Sequence, residues 1–216
     1  MNWFWSLYAI VYDFGVWQFT PYWDQLSEIV DLVVARTMVG DWVCDFGCGT
    51  GNYMRLLFLR NRNVVGIDPC SAADRVVWDK MRAAGYPRMI YCGRFDVIVA
   101  VNSLYACDRL SEELKSSHEE LNDDGFMVIS NPIRWPGAVE MLLWYRNRYG
   151  WGGLLRALPG LIALAPFNLV IRLVYRPIPE EKLVAALRAA GFRIVNRDLG
   201  YICDANVILV CEKDPT

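Results

Sequence analysis

One ten-residue stretch constrains the fold more than any other: Val43-Cys44-Asp45-Phe46-Gly47-Cys48-Gly49-Thr50-Gly51-Asn52. A strand-forming run ends in an acid, three glycines alternate with small residues, and a helical segment follows. Glycines in such a turn let backbone N–H groups and a helix N-terminus approach a ligand where a Cβ would collide. Asp45, just ahead of the turn, can accept hydrogen bonds from a cationic amine. Further on, Gly66-Ile67-Asp68-Pro69 closes a second β-branched run with another acid, placed where a carboxylate can accept both hydroxyls of a ribose. The two acids would then straddle one crevice.

The rest of the chain alternates short β-branched runs with helical stretches, the pattern of a parallel sheet flanked by helices. Strands are expected at residues 42–46, 64–68, 88–92, 95–102 and 126–131, with two more near 193–199 and 206–211. An amphipathic helix at 22–36 leads into the first strand. Ser71 and Asp74 form a start signal for a helix that Gly85 ends, and Pro179, Glu180 and Glu181 open another that Gly191 ends. Residues 111–121 read as a solvated helix, with 122–125 turning into the next strand. At 216 residues, one domain with an added lobe is the economical organisation.

A nicotinamide-binding unit also has a glycine turn and an acid after its second strand. Its G-x-G-x-x-G/A fingerprint requires Gly or Ala at position 52, where Asn52 stands, and Asp45 would face a doubly charged pyrophosphate. A zwitterionic amino-acid moiety suits Asp45 better. A bare strand-to-helix turn accounts less well for two acids and three glycines together.

These residues closely resemble the class I S-adenosylmethionine-dependent methyltransferase family, whose first motif has the form acid-x-Gly-x-Gly-x-Gly. The resemblance covers most of residues 40–132. It implies a Rossmann-like α/β fold: a seven-stranded, mostly parallel sheet of order 3-2-1-4-5-7-6, last strand antiparallel, with helices on both faces and a helical lid inserted after strand five. It implies S-adenosyl-L-methionine as cofactor, its methionine part held by Asp45, Gly47, Cys48, Gly49 and Gly51, with Phe46 and Asn52 in the same stretch. Asp68 with Pro69 would hold ribose and adenine, and Asn102, Ser103 and Leu104 would line the reactive side.

The chain departs from the family pattern between strands three and four. Family members usually carry a longer connection there, with an acid that contacts the adenine amine. Here Tyr91-Cys92-Gly93-Arg94-Phe95-Asp96 passes almost directly between strands, and no acid precedes Asp96, whose family role is structural. The competing implication is a catalytically altered or silent relative that binds the cofactor only as scaffold, or not at all.

Residues 133–178 form an insertion that the sheet does not need, rich in aromatics such as Trp135, Trp144, Tyr145 and Trp151. Its most apolar part, 158–170, is flanked by Arg156 and Arg172, interrupted by Pro159 and Pro166, and short of bilayer length, so a membrane-spanning helix is not expected. A lid over an apolar acceptor, a surface dipping into the membrane interface through 151–175, and a second small core all fit. Residues 1–36 are expected as an N-terminal helical cap closing over the same opening. The resulting expectation is a hydrophobic small-molecule acceptor, lipid-like or a specialised metabolite.

Methyl transfer from a sulfonium is an in-line displacement in which alignment supplies most of the acceleration, so a dedicated base is optional. The single histidine, His118, falls on the solvated helix. Tyr12, Tyr22, Tyr105 and Tyr145 can orient an acceptor or simply pack, and no catalytic residue is assigned. Seven cysteines without a Cys-x-x-Cys pair or a nearby histidine offer no metal site and read as reduced thiols of a cytoplasmic protein. With a net charge of -2 and no Lys/Arg cluster, no nucleic-acid partner is expected.

Overall fold

The computed structural model of the chain describes residues 2–86, 93–200 and 202–215. In chain order the elements are α1 (Asn2–Val16), α2 (Thr20–Arg36), β1 (Trp42–Phe46), α3 (Asn52–Phe58), β2 (Asn63–Ile67), α4 (Ser71–Ala83) and β3 (Phe95–Val101). There follow α5 (Leu110–Glu120), β4 (Leu121–Pro132), α6 (Ala138–Val174), α7 (Glu180–Ala189), β5 (Phe192–Gly200) and β6 (Asn206–Lys213).

The strands form one sheet of order β2-β1-β3-β4-β6-β5. The first four are parallel, and β6 runs antiparallel to both β4 and β5. This corrects the expected seven strands: six are present among the described residues, and the strand expected at 88–92 lies outside them. The near-continuous apolar runs follow from burial on both faces. Val43, Val97, Val99 and Val128 pack on one side under α2, α3 and α4, while Cys44, Ile98, Ala100 and Ile129 pack on the other under α5 and α7.

Several local expectations change. The segment 122–125 is not a free turn but a bulge inside β4, because Phe95 pairs with Leu121 and Val97 with Phe126. Asp96 stabilises this irregularity, accepting from the Trp42 backbone N–H at 2.7 Å and from Asn122 Nδ2 at 2.6 Å. At α4, Ser71 is the first helical residue and Cys70 the cap, its N–H held by Asp68 at 2.8 Å.

The insertion forms the largest departure from the sequence reading. Pro159 and Pro166 do not interrupt it; α6 runs through both and kinks only at Gly150 (φ 70, ψ 177). Both prolines lie on the exposed side, while Leu154, Ala157, Gly160, Leu164 and Ile171 recur on the buried side and hold the helix to the body. By length and composition this helix is long and apolar enough to cross a membrane, which corrects the expectation that the apolar run falls short.

Helix α1 packs antiparallel along α6. Phe4 and Tyr8 meet Phe167, and Trp5 meets Tyr175, at ring separations of 5.5–5.8 Å. At the other end the backbones touch through two glycines, since a Cβ on Gly160 would stand 2.2 Å from the Gly15 carbonyl oxygen.

Candidate active site

The sheet order reverses beside β1, where β2 and β3 leave in opposite directions, and in such folds the carboxyl ends of the strands open into a crevice at that point. Asp45 and Phe46 end β1, Ile67 ends β2 just before Asp68, and Val101 ends β3 just before Asn102. Because β6 is antiparallel, its first residue, Asn206, reaches the same edge. A cavity of about 1210 Å3 lies over this edge and continues beneath α1 and α6.

Asp45 is the most unusual group in it. The side chain is 2% exposed, and its Oδ2 has no hydrogen-bond partner among the described residues. Burial, with the Asp68 charge adding to it, pushes its carboxyl up to about 7. A buried carboxylate without a counter-charge is costly, so a cation or a hydrogen-bond donor brought beside Asp45 would be stabilised there. Tyr53 beside it is likewise buried with an unpartnered hydroxyl, its phenol pushed well up by burial and by Asp45.

The glycine turn works through space rather than through free donors. The N–H groups of Gly47 and Cys48 bond to the Ile67 carbonyl, that of Gly51 to Cys48, and that of Gly49 to Asp68 Oδ2 at 3.0 Å. Four of the turn's donors are thus used internally, against the expectation that they point at a ligand. Gly47 (φ +75) allows close approach of β3: a Cβ there would stand 2.3 Å from Ser103 Cβ, and Ser103 Oγ donates to the Phe46 carbonyl at 2.8 Å. A Cβ on Gly49 would meet no heavy atom within 4 Å, so that glycine faces open space.

Asp68 accepts from the backbone on both sides, Gly49 N–H on one oxygen and Cys70 N–H on the other. Each carboxylate oxygen retains a second lone pair, which leaves acceptor capacity toward the cavity. Phe46, Gly47, Cys48, Gly49, Asn52, Asp68, Pro69, Asn102 and Ser103 line the cavity; Gly51 does not, and caps α3 from below instead. Leu104 is buried in the opposite core, with 1% exposure, and does not reach the cavity.

The structure also brings in groups that the sequence reading passed over. Asp13 of α1 accepts from Thr50 Oγ1 at 2.7 Å and Asn52 Nδ2 at 3.0 Å, and pairs with Lys80 of α4 at 2.8 Å. Lys80 also donates to Asn52 Oδ1, and burial holds its ammonium below the usual lysine range. Asn52 is therefore a junction between cap and glycine turn, donating to the Tyr22 hydroxyl as well. On the other side, Asn206 donates to Asn102, Asn102 to Gln25, and Gln25 to Ser130. Asn102 holds a left-handed φ of 54 in this network. One signal was legible: Asp13 is the only charge in an otherwise apolar, aromatic helix.

Two cavity tyrosines, Tyr22 and Tyr105, are held protonated by burial. Burial pushes Tyr22 up to about 12 and raises Tyr105 further. His118 lies elsewhere, against Gly191 and Phe192 behind the sheet.

A family model described as a methyltransferase domain matches residues 16–197. No curated protein sequence matches the chain. Among solved structures, magnesium protoporphyrin IX methyltransferase from Synechocystis, with bound S-adenosylhomocysteine, is 16% identical with a TM-score of 0.64, covering 90% of this chain and 84% of that one. An S-adenosylmethionine-dependent methyltransferase from Clostridium acetobutylicum is 14% identical with a TM-score of 0.63, covering 96% and 98%. A cyclase, SpnF, is 17% identical with a TM-score of 0.60, covering 88% and 81%. At these identities the likenesses establish the shared fold, while the family match spans most of the chain: it belongs to the methyltransferase domain family, the class I S-adenosylmethionine-dependent kind that its glycine turn resembles.

Proposed function

We propose that the chain binds S-adenosylmethionine at the edge of β1 and β2 and transfers its methyl group to a hydrophobic small molecule held beneath α1 and α6. The observation that carries this reading is the buried, unpartnered Asp45 carboxylate beside the open face of Gly49. An orphaned acid fits the cationic amino-acid end of the cofactor, and a cradle that only glycine leaves clear fits its close approach. Asp68, with lone pairs unused by Gly49 and Cys70, is placed for the ribose hydroxyls.

When bound, the cofactor supplies an electrophilic methyl group on a sulfonium. The residues of the chain supply position. Asn102 and Asn206 present amides along the cavity wall, and the apolar sides of α1 and α6 offer the acceptor an apolar surface. Tyr22 and Tyr105 remain protonated at neutral pH, so they donate hydrogen bonds rather than remove protons. Alignment of acceptor and methyl group is then the main contribution.

Calorimetry with S-adenosylhomocysteine, followed by labelled methyl transfer into an apolar extract, tests the reading. Binding and labelling of an extractable apolar product are the expected results. No binding removes the cofactor assignment. Binding without transfer to any component favours the silent relative.

A further inference from the structure

Helix α1 has two unlike apolar faces. Trp5, Tyr8, Ala9, Tyr12 and Val16 line the cavity, whereas Trp3, Leu7, Ile10, Phe14 and Trp17 point outward, with exposures from 47% to 74%. The inner set accounts for the cap, while the outer set is left largely to solvent. Its spacing of three and four residues makes a continuous stripe along the helix.

The neighbouring helix extends that stripe. Trp151, Leu155, Ile162, Leu169 and Leu173 of α6 are all at least 59% exposed, and the antiparallel packing through Gly15 and Gly160 sets the two helices side by side. Contiguous exposed apolar surface of this kind marks an interaction site. Its charge says what kind. From Met141 to Arg176 the chain carries five arginines and no acid, in a protein of net charge -2. The single acid of α1, Asp13, is turned inward to Lys80. Arg146 lies over the Trp151 ring at 5.6 Å, and Arg156 is exposed on the same helix. Tryptophans and arginines around an apolar stripe match the headgroup region of a bilayer.

The same helix joins this surface to the cavity. Leu158, Ile162 and Leu169 line the cavity and are also solvent-exposed, so the chamber reaches the outside through the stripe. A protein partner seated there would close the opening; a lipid surface would feed it. With its buried side held along the body, α6 lies flat rather than projecting, which favours an interfacial over a spanning placement.

We propose that the outer faces of α1 and α6 dock on an anionic lipid bilayer, and that the cavity receives its acceptor directly from that bilayer. The second clause rests on the methyl-transfer reading; the first stands without it. The test is co-sedimentation of the full chain with vesicles of phosphatidylcholine, alone or mixed with phosphatidylglycerol, in low and high salt. The comparison protein carries Ile10→Gln, Trp17→Gln and Leu155→Gln, none of which lines the cavity.

The wild type is expected to sediment with the mixed vesicles, less so in high salt, and the triple variant to lose roughly tenfold or more in partitioning. Unchanged S-adenosylhomocysteine binding and circular dichroism of the variant show that only docking was lost; where the triple variant does not fold, Trp17→Gln alone is compared. Wild-type protein that stays in the supernatant with all vesicles, or that forms a dimer insensitive to vesicles, overturns docking even if cofactor binding is intact. Equal sedimentation with phosphatidylcholine alone overturns the anionic requirement. Resistance to alkaline carbonate extraction overturns the interfacial placement in favour of a spanning helix.

Discussion

Asp13 of α1 and Lys80 of α4 form an ion pair of 2.8 Å beside the glycine turn, so the cap is bolted to that turn by charge as well as by apolar packing. Thr50 and Asn52 share the same carboxylate. Asp13→Ala leaves an ammonium, a hydroxyl and an amide short of an acceptor. The expected loss is roughly 1–3 kcal/mol of unfolding free energy, toward the low end because Asp13 is partly solvated. Urea titration measures it, and an unchanged midpoint shows that the cap is held by apolar contacts alone.

Asp45 predicts a pH dependence of two opposite signs. Its folded value is about 7 against an ordinary 3.8, so between these limits the folded protein without ligand binds more protons than the unfolded chain. The stability contribution is fully present below the ordinary value and is lost as pH rises through about 7. A cationic ligand selects the ionised form, so S-adenosylhomocysteine affinity should rise across the same window. Asp45→Asn should flatten both profiles, and a wild-type affinity independent of pH would remove Asp45 from the amine site.

Asp68→Ala should weaken S-adenosylhomocysteine binding by roughly 1 to 3 kcal/mol. Part of that loss comes from the Gly49 and Cys70 N–H groups it orders. Calorimetry that returns the wild-type Kd would show that the ribose is placed wrongly.

Gly160→Ala should separate α1 from α6, because the new Cβ meets the Gly15 backbone rather than a flexible side chain. Overpacking of this kind costs roughly 1–3 kcal/mol. Gly152→Ala on the same helix meets nothing within 4 Å and should stabilise by up to about 1 kcal/mol. Thermal melts of the two variants that shift in the same direction would contradict the close crossing.

The sheet was legible because its strands are buried on both faces and therefore read as short apolar runs. The bulge at 122–125 was not, since it depends on Asp96 reaching Asn122 from another strand. Leu104 was placed beside the cofactor from its position after β3, yet a local 3-10 turn carries it into the core behind the sheet. The prolines of α6 misled for a similar reason: local propensity argues for a break, and tertiary contacts on the opposite side outweigh it.

Taken alone, the amino-acid order determined the two acids, the glycine turn between sheet and helix, and with them the methyltransferase family, because strand period and glycine clearance act between near neighbours in the chain. Only the folded arrangement decided that Asp45 lacks a partner, that Asp13 reaches Lys80, that four of the turn's N–H groups are already spent, and that α1 turns one apolar face inward and another out. Burial, charge pairing and steric clearance depend on atoms brought together from distant parts of the chain, and no local pattern encodes which of them will meet.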